Sequence, residues 1–273
     1  MKYEINSDGR IVSLKKGHWG DVGTIGGYVD SESNLSQYGN CWIFDDARVY
    51  GNAQVYDNAK VSGKARVYDN AKVTGGARVY DNAKVFDNSQ VCGNGKGFGN
   101  VQVYDDAQIS GNAWVYGNAK VYGNSHITSL AHIYDNAQVY GKAHIVDNAQ
   151  IFGNARVYDD VKVSDYAKVY DDAWVYGYAQ ISYNAWVYGD ANVYENAWVY
   201  DNAQVYENAR VYGNARVYNA AQVCGGAWIF GDAQVCGGAW IYGFAQVSGD
   251  TKTTQSIYYS IDISKLTNEL TIL

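Results

Sequence analysis

Every sixth residue from Ile43 to Val247 is Val or Ile at 34 of 35 positions, and the phase never slips. Only Gly97 interrupts the column. Two residues earlier stands Ala at 29 of the 35 units, the exceptions being Cys41, Ser89, Gly95, Val101, Ser125 and Val161. The unit reads Ala-x-Val-Tyr-(Gly/Asp)-Asn. Ala and Val two apart share one face of an extended strand, and the residues between and after them face the other way. Gly/Asp-Asn closes the unit with a bend, because these residues accept left-handed backbone angles at low cost. A bend every six residues excludes helix. The chain holds no Pro, as expected where nearly every N–H serves a ladder. The pattern predicts a coil wound from short parallel strands with Ala and Val inside.

The number of strands per coil follows from sorting the residue after each Val into three columns. One column is aromatic eleven times running: Tyr50, Tyr68, Phe86, Tyr104, Tyr122, Tyr140, Tyr158, Tyr176, Tyr194, Tyr212 and Phe230. Another runs Thr74, Cys92, Ser110, Thr128, Val146, Ser164, Ser182 without an aromatic. Such segregation makes 18 residues the spatial repeat. The cross-section is then a triangle with an aromatic face, a small-polar face and a mixed face. The expected prism has roughly 11 coils and is about 54 Å long at ~4.8 Å per coil.

This repeat resembles the hexapeptide signature of left-handed parallel β-helix proteins. The resemblance covers residues 41–250, and left-handedness is implied by it alone. The opening segment Gly23-Thr24-Ile25-Gly26-Gly27-Tyr28-Val29-Asp30, with Asn34-Leu35-Ser36-Gln37 and Asn40-Cys41-Trp42-Ile43-Phe44, is similar to the start of YdcK-like transferase-type proteins and of bacterial and phage hexapeptide-repeat proteins. The resemblance implies an all-β, single-stranded left-handed parallel β-helix of 18 residues per coil. It also brings acyltransferase and zinc carbonic anhydrase activity into view, since relatives with this fold carry such sites between the prisms of a trimer.

The expected organisation is an N-terminal cap at 1–40, the β-helix at 41–250 and a C-terminal cap or attachment element at 251–273. Within the last, Ile257-Tyr258-Tyr259-Ser260-Ile261 and Glu269-Leu270-Thr271-Ile272 read as strands. Open strand edges at solenoid ends need covering. The thinning at Gly95 and Gly97 carries the expectation that Phe98 turns inward to fill it.

The net charge of −7 argues against a nucleic-acid partner, which requires positive potential. No stretch approaches the ~18 apolar residues of a membrane span, and the N-terminus lacks the apolar core of a secretion signal. Cys41, Cys92, Cys224 and Cys236 fall on positions that cannot pair within a prism, so free thiols and a cytoplasmic setting are expected. No zinc spacing and no cofactor motif is present.

His126 and His144 stand 18 apart and stack on the small-residue face. As low-ranked catalytic candidates, either could serve as a general base at a subunit interface. The plainer reading is that the position before each Val takes any long polar residue. Asp69, Asp87 and Asp105 stack at one bend. They could attract a cation such as Ca²⁺, but solvated bend residues explain them more simply, and no metal site is assigned. The aromatic column is the candidate binding surface, for a protein or glycan partner or for self-assembly, with the flat small-polar face as a meeting surface between copies. The leading functional expectation is a non-catalytic structural or binding solenoid. The alternative is a hexapeptide-type acyltransferase using acetyl- or acyl-CoA.

Overall fold

A computed structural model describes residues 1–259. The chain is a parallel β-solenoid, as the six-residue beat predicts. Nearly every unit contributes a strand of two residues, such as Arg48–Val49 and Gln54–Val55; Trp240–Gly243 is longer. The strands distribute into three sheets, of which the one beginning at Trp42–Ile43 has 13 strands, so the coil makes about 13 turns. Pairing along the periodic stretch is parallel at a spacing of 18 residues, as in Arg48↔Arg66, Gln54↔Lys72 and Trp42↔Lys60. Tyr104 and Tyr122 therefore lie one above the other, and the three-sided prism follows.

The core is the Ala/Val side. Val49, Val121 and Val205, like nearly all their equivalents, are fully buried. Where Ser replaces Ala, its hydroxyl is satisfied by the carbonyl three residues back: Ser89 Oγ donates to Phe86 O at 2.6 Å and Ser125 Oγ to Tyr122 O at 2.9 Å. The polar atom is buried without an unmet hydrogen bond.

The bends divide their labour between two residues. The first bend residue is the left-handed one: φ is 54° at Asp45, 56° at Asp105 and 73° at Gly117. The Asn after it is not left-handed. Instead its amide joins a side-chain ladder, with Asn100 Nδ2 donating to Asn118 Oδ1 at 2.9 Å and Asn118 Nδ2 to Asn136 Oδ1 at 3.1 Å. At Gly141 an added Cβ would meet the Asp159 backbone N at 2.5 Å. Close inter-coil approach, besides φ, thus favours Gly there.

Asp at the first position has its own inter-coil role. Its carboxylate accepts the N–H of the residue 18 later: Asp87 from Asp105 at 3.3 Å, Asp105 from Gly123 at 3.0 Å and Asp135 from Gly153 at 3.3 Å. The stacked Asp69, Asp87 and Asp105 share φ near 56°, which accounts for them as bend residues. Among the described residues no group of three His, Cys, Asp or Glu gathers as a metal-binding set.

The parallel ladder starts upstream of the strict repeat. Strands β1 (Tyr3–Ile5) and β2 (Arg10–Ser13) pair antiparallel, and β2 pairs antiparallel with β3 (Ile25–Val29). β3 then pairs parallel with Arg48–Val49 in the register Tyr28↔Arg48. The core end is plugged by large side chains. Trp19 stacks on Trp42 at 5.0 Å, and the Tyr3 hydroxyl donates to Leu35 O at 2.6 Å. Lys2, almost fully buried, donates to Cys41 O at 3.0 Å and to Cys41 Sγ at 3.2 Å. Burial lowers the Lys2 pKa and raises that of the Cys41 thiol.

At the other end, Lys252–Thr253 and Ile257–Tyr259 continue the ladders in parallel. The last pairing is Ile241↔Ile257, two residues shorter than the regular coil. Ser260, Ile261 and the Glu269–Ile272 segment lie outside the described residues.

One expectation is corrected. Phe98 does not turn inward: its ring stacks between Tyr80 at 4.8 Å and Tyr116 at 5.1 Å on the exterior. Stacking on both faces holds it there. An added Cβ at Gly95 would already meet Ile109 Cγ2 at 3.1 Å, whereas one at buried Gly97 would find nothing within 4 Å. A small void therefore persists at Gly97.

Candidate functional site: the exterior aromatic ladders

Alternation sends the residue after each Val outward, and the 18-residue register places successive copies one strand spacing apart. The eleven aromatics of the first column consequently form one continuous stack. Neighbouring ring centroids are 5.0 Å apart at Tyr50–Tyr68, 4.7 Å at Tyr122–Tyr140 and 5.2 Å at Tyr212–Phe230, with planes within 1° to 10° of parallel along the column. Each interior ring has both faces covered by its neighbours. Only ring edges and hydroxyls remain for an outside partner.

Burial alters the phenols. Tyr122, Tyr158 and Tyr194 are pushed up to about 12, first by burial and then by the adjoining tyrosines, whose like charges would oppose ionisation. These three phenols are neutral at ordinary pH. Among the described residues no hydroxyl of this column hydrogen-bonds to another protein atom, so its rim is a row of free donors and acceptors.

A second ladder occupies the face read from sequence as mixed. Tyr80, Phe98, Tyr116, Tyr134, Phe152, Tyr170, Tyr188 and Tyr206 stack at 4.7 to 5.1 Å. Its sequence column is aromatic except at Ser62 and Cys224, which interrupt the pattern near its lower and upper ends. Several hydroxyls here are tied internally: Tyr188 Oη donates to Gln204 Oε1 at 3.3 Å and Tyr206 Oη to Gln222 Oε1 at 3.2 Å. The two ladders are alike in stacking and unlike in hydrogen bonding.

Six tryptophans of the rod, Trp114, Trp174, Trp186, Trp198, Trp228 and Trp240, stand before the Val or Ile positions and are partly exposed. Many carry a cation from an adjacent coil over one face: Lys96 over Trp114 at 4.0 Å, Arg156 over Trp174 at 4.7 Å and Arg216 over Trp198 at 5.2 Å. Such contacts use the ring face for internal stabilisation.

His126 and His144 do stack, with ring centroids 4.9 Å apart. Burial, then His126 and Lys162, lower the pKa of His144. Its neutral form is thereby favoured. His126 Nδ1 is buried with no hydrogen-bond partner. His132 lies on another sheet, stacked against Trp114 at 5.3 Å, and does not join the pair. His18 is exposed beside the buried Trp19. The four cysteines are free thiols. Cys224 and Cys236 are buried although they occupy outward positions; Trp240 lies against Cys224, and Cys236 Sγ donates to Thr253 O at 3.6 Å. No helix among the described residues is long and apolar enough to cross a membrane.

The family model described as the YdcK beta solenoid repeat matches residues 77–93, 107–123, 149–165, 203–219 and 209–225. Each matched segment begins on an inward position of the Ala column and spans nearly one coil. No curated protein matches the chain. The chain is a parallel β-solenoid, and these segments of it are similar to the YdcK beta solenoid repeat.

Proposed function

We propose that the protein is a rigid, non-catalytic scaffold whose first aromatic ladder contacts a partner protein or a second copy of the chain. The observation that carries this reading is the free hydroxyl rim of the eleven-ring stack. A sugar that binds by stacking needs an open ring face, and the ladder leaves none between Tyr50 and Phe230. A protein surface can instead hydrogen-bond the row of phenols while packing on their edges. The regular ladder of backbone bonds beneath holds the row straight, so little ordering entropy is lost on contact.

The competing acyltransferase reading rests on His126 or His144 as general base. Thermal denaturation with acetyl-CoA separates the two. A ligand present at 100 times its dissociation constant stabilises by about 2.7 kcal/mol. The scaffold reading expects no shift in melting temperature at millimolar acetyl-CoA. A clear rise that is lost in His126→Asn would overturn it. The contact surface itself is tested by replacing Tyr122, Tyr140 and Tyr158 with Phe, which keeps the stack and removes only hydroxyls. Sedimentation velocity over a range of concentrations should then show weaker self-association, or a weaker complex once the partner is in hand.

A further inference from the structure

The second ladder lacks one rung. Its column runs Phe44, Ser62, Tyr80, Phe98, and Ser62 stands where a ring is expected. Phe44 and Tyr80 are two coils apart, about 9.6 Å at the strand spacing. Tyr80 stacks on Phe98 with its far face, leaving its near face toward the gap. The result is a cleft of about 350 Å³ lined by Phe44, Asp45, Lys60, Ser62, Arg78, Tyr80 and Lys96.

The charges around this cleft point the same way. Lys60, Arg78 and Lys96 occupy one column in three successive coils, in direct register. Like charges directly opposite one another on neighbouring strands destabilise a sheet. None of the three forms an ion pair among the described residues, where salt bridges are confined to Arg10–Asp46, Lys16–Asp21 and Lys142–Asp160. Asp45, the one acidic lining residue, has a carboxylate oxygen occupied by the Gly63 N–H at 2.9 Å. The cleft therefore combines a slot one ring thick with positive charge that no carboxylate pairs, Lys96 resting also against the Trp114 face.

The ladder's upper end supplies a contrast. Cys224 also interrupts the column, between Tyr206 and Tyr242. There the gap is closed from within: Trp240 Nε1 donates to Cys224 Sγ at 3.2 Å, and the thiol is almost fully buried. At Ser62 the flanking residues are cations instead of an indole, and among the described residues no ring takes the missing place.

We propose that the Ser62 gap binds a small planar aromatic anion, a ring bearing a carboxylate, sulfonate or phosphate. The ring inserts between Phe44 and Tyr80 at the ladder's own spacing, and its charged group meets Lys60, Arg78 and Lys96. The site stands independently of the scaffold reading, because it uses the other ladder and needs no partner protein. Flat rings are gripped on two faces, and the anion relieves repulsion among the three cations. The neutral or non-planar analogue forfeits one of these contributions.

Titration with 2-naphthalenesulfonate, followed by calorimetry and by probe anisotropy, tests the site. The wild-type chain should bind one equivalent. Neutral 2-naphthol and inorganic sulfate should each bind at least tenfold more weakly. Ser62→Tyr, which restores the rung, should abolish binding while leaving the melting temperature unchanged or higher. Arg78→Gln should weaken binding about tenfold and flatten its salt dependence. Equal binding by wild type and Ser62→Tyr overturns the proposal, as does undetectable binding to wild type at 5 mM probe. Sulfate displacing the probe at equal concentration overturns it too, since the rings would then contribute nothing. Ser62→Phe provides a second filled gap should the tyrosine variant fold poorly.

Discussion

The first coil and the middle of the rod solve the same problem with opposite means. Around Tyr104 to Tyr176 each coil buries nearly the same set of Val, Ile and Ala, and each coil's stability comes from two similar neighbours. At the N-terminal end there is no neighbour on one side. That end is closed by residues that occur once: Tyr3, Trp19, Leu35 and Trp42 in the core, and Lys2 tied to Cys41. The difference teaches where specificity resides. In the rod it lies in spacing, so a single side chain matters modestly. In the plug it lies in identity, so one large side chain matters greatly.

The largest expected effect is collective and belongs to the rod. Tyr122, Tyr134, Tyr158, Tyr170 and Tyr194 are all pushed up to about 12 in the folded chain, against 10.0 as the ordinary value. A raised phenol pKa means that the unfolded chain ionises first. The stabilisation is fully present below pH 10 and drains away as pH rises from 10 through about 12. Tyrosinate absorbance and circular dichroism should change together in that window. Phenols titrating near pH 10 with the fold intact would contradict the buried stack.

Trp42→Ala comes next and should strike the plug alone. Removing a buried indole costs about 3–5 kcal/mol. Hydrogen exchange should accelerate in β1 to β3 and the first coil, while amides near Val193 stay protected. Uniform loss of protection along the rod would mean that the plug and the coils unfold as one unit.

Gly97→Ala is expected to act in the other direction. The position is buried, its φ is not left-handed, and a Cβ there meets nothing within 4 Å. Burying one methyl and restricting the unfolded chain should raise stability by about 1 kcal/mol. A lower denaturation midpoint would show that the void is already occupied. Asn118→Ala is the smallest change. It removes one link at each side of the Asn100–Asn118–Asn136 ladder. At an exposed bend this should cost about 0.5–1 kcal/mol in the denaturation midpoint. No measurable cost would assign the ladder to solvent exchange alone.

Much of this fold is readable in the chain because a repeat multiplies each weak preference by its copies. One Ala-x-Val is an ambiguous fragment; 34 aliphatics in phase leave room only for a coil of short strands. The first aromatic column was legible for the same reason. The second was not, because Ser62 and Cys224 broke its ends and the sort alone could not show that the rings between them touch. Phe98 was misplaced for a related reason: an empty interior suggests filling, but stacking against Tyr80 and Tyr116 holds the ring outside. The bends were legible as bends, yet the division between a left-handed Asp or Gly and a laddering Asn depends on which neighbour each side chain meets.

Periodicity alone determined the strand length, the three columns and the inward side, since these follow from backbone alternation and the 18-residue register. Tertiary structure decided what closes the N-terminal end, which gaps are filled and which hydroxyls remain free. Trp240 covers Cys224 while Ser62 stays open, and Gln204 ties Tyr188 while the first ladder's rim is untied. Those outcomes depend on side chains reaching across coils and corners. Their directions are set by contacts between residues that no local pattern brings together.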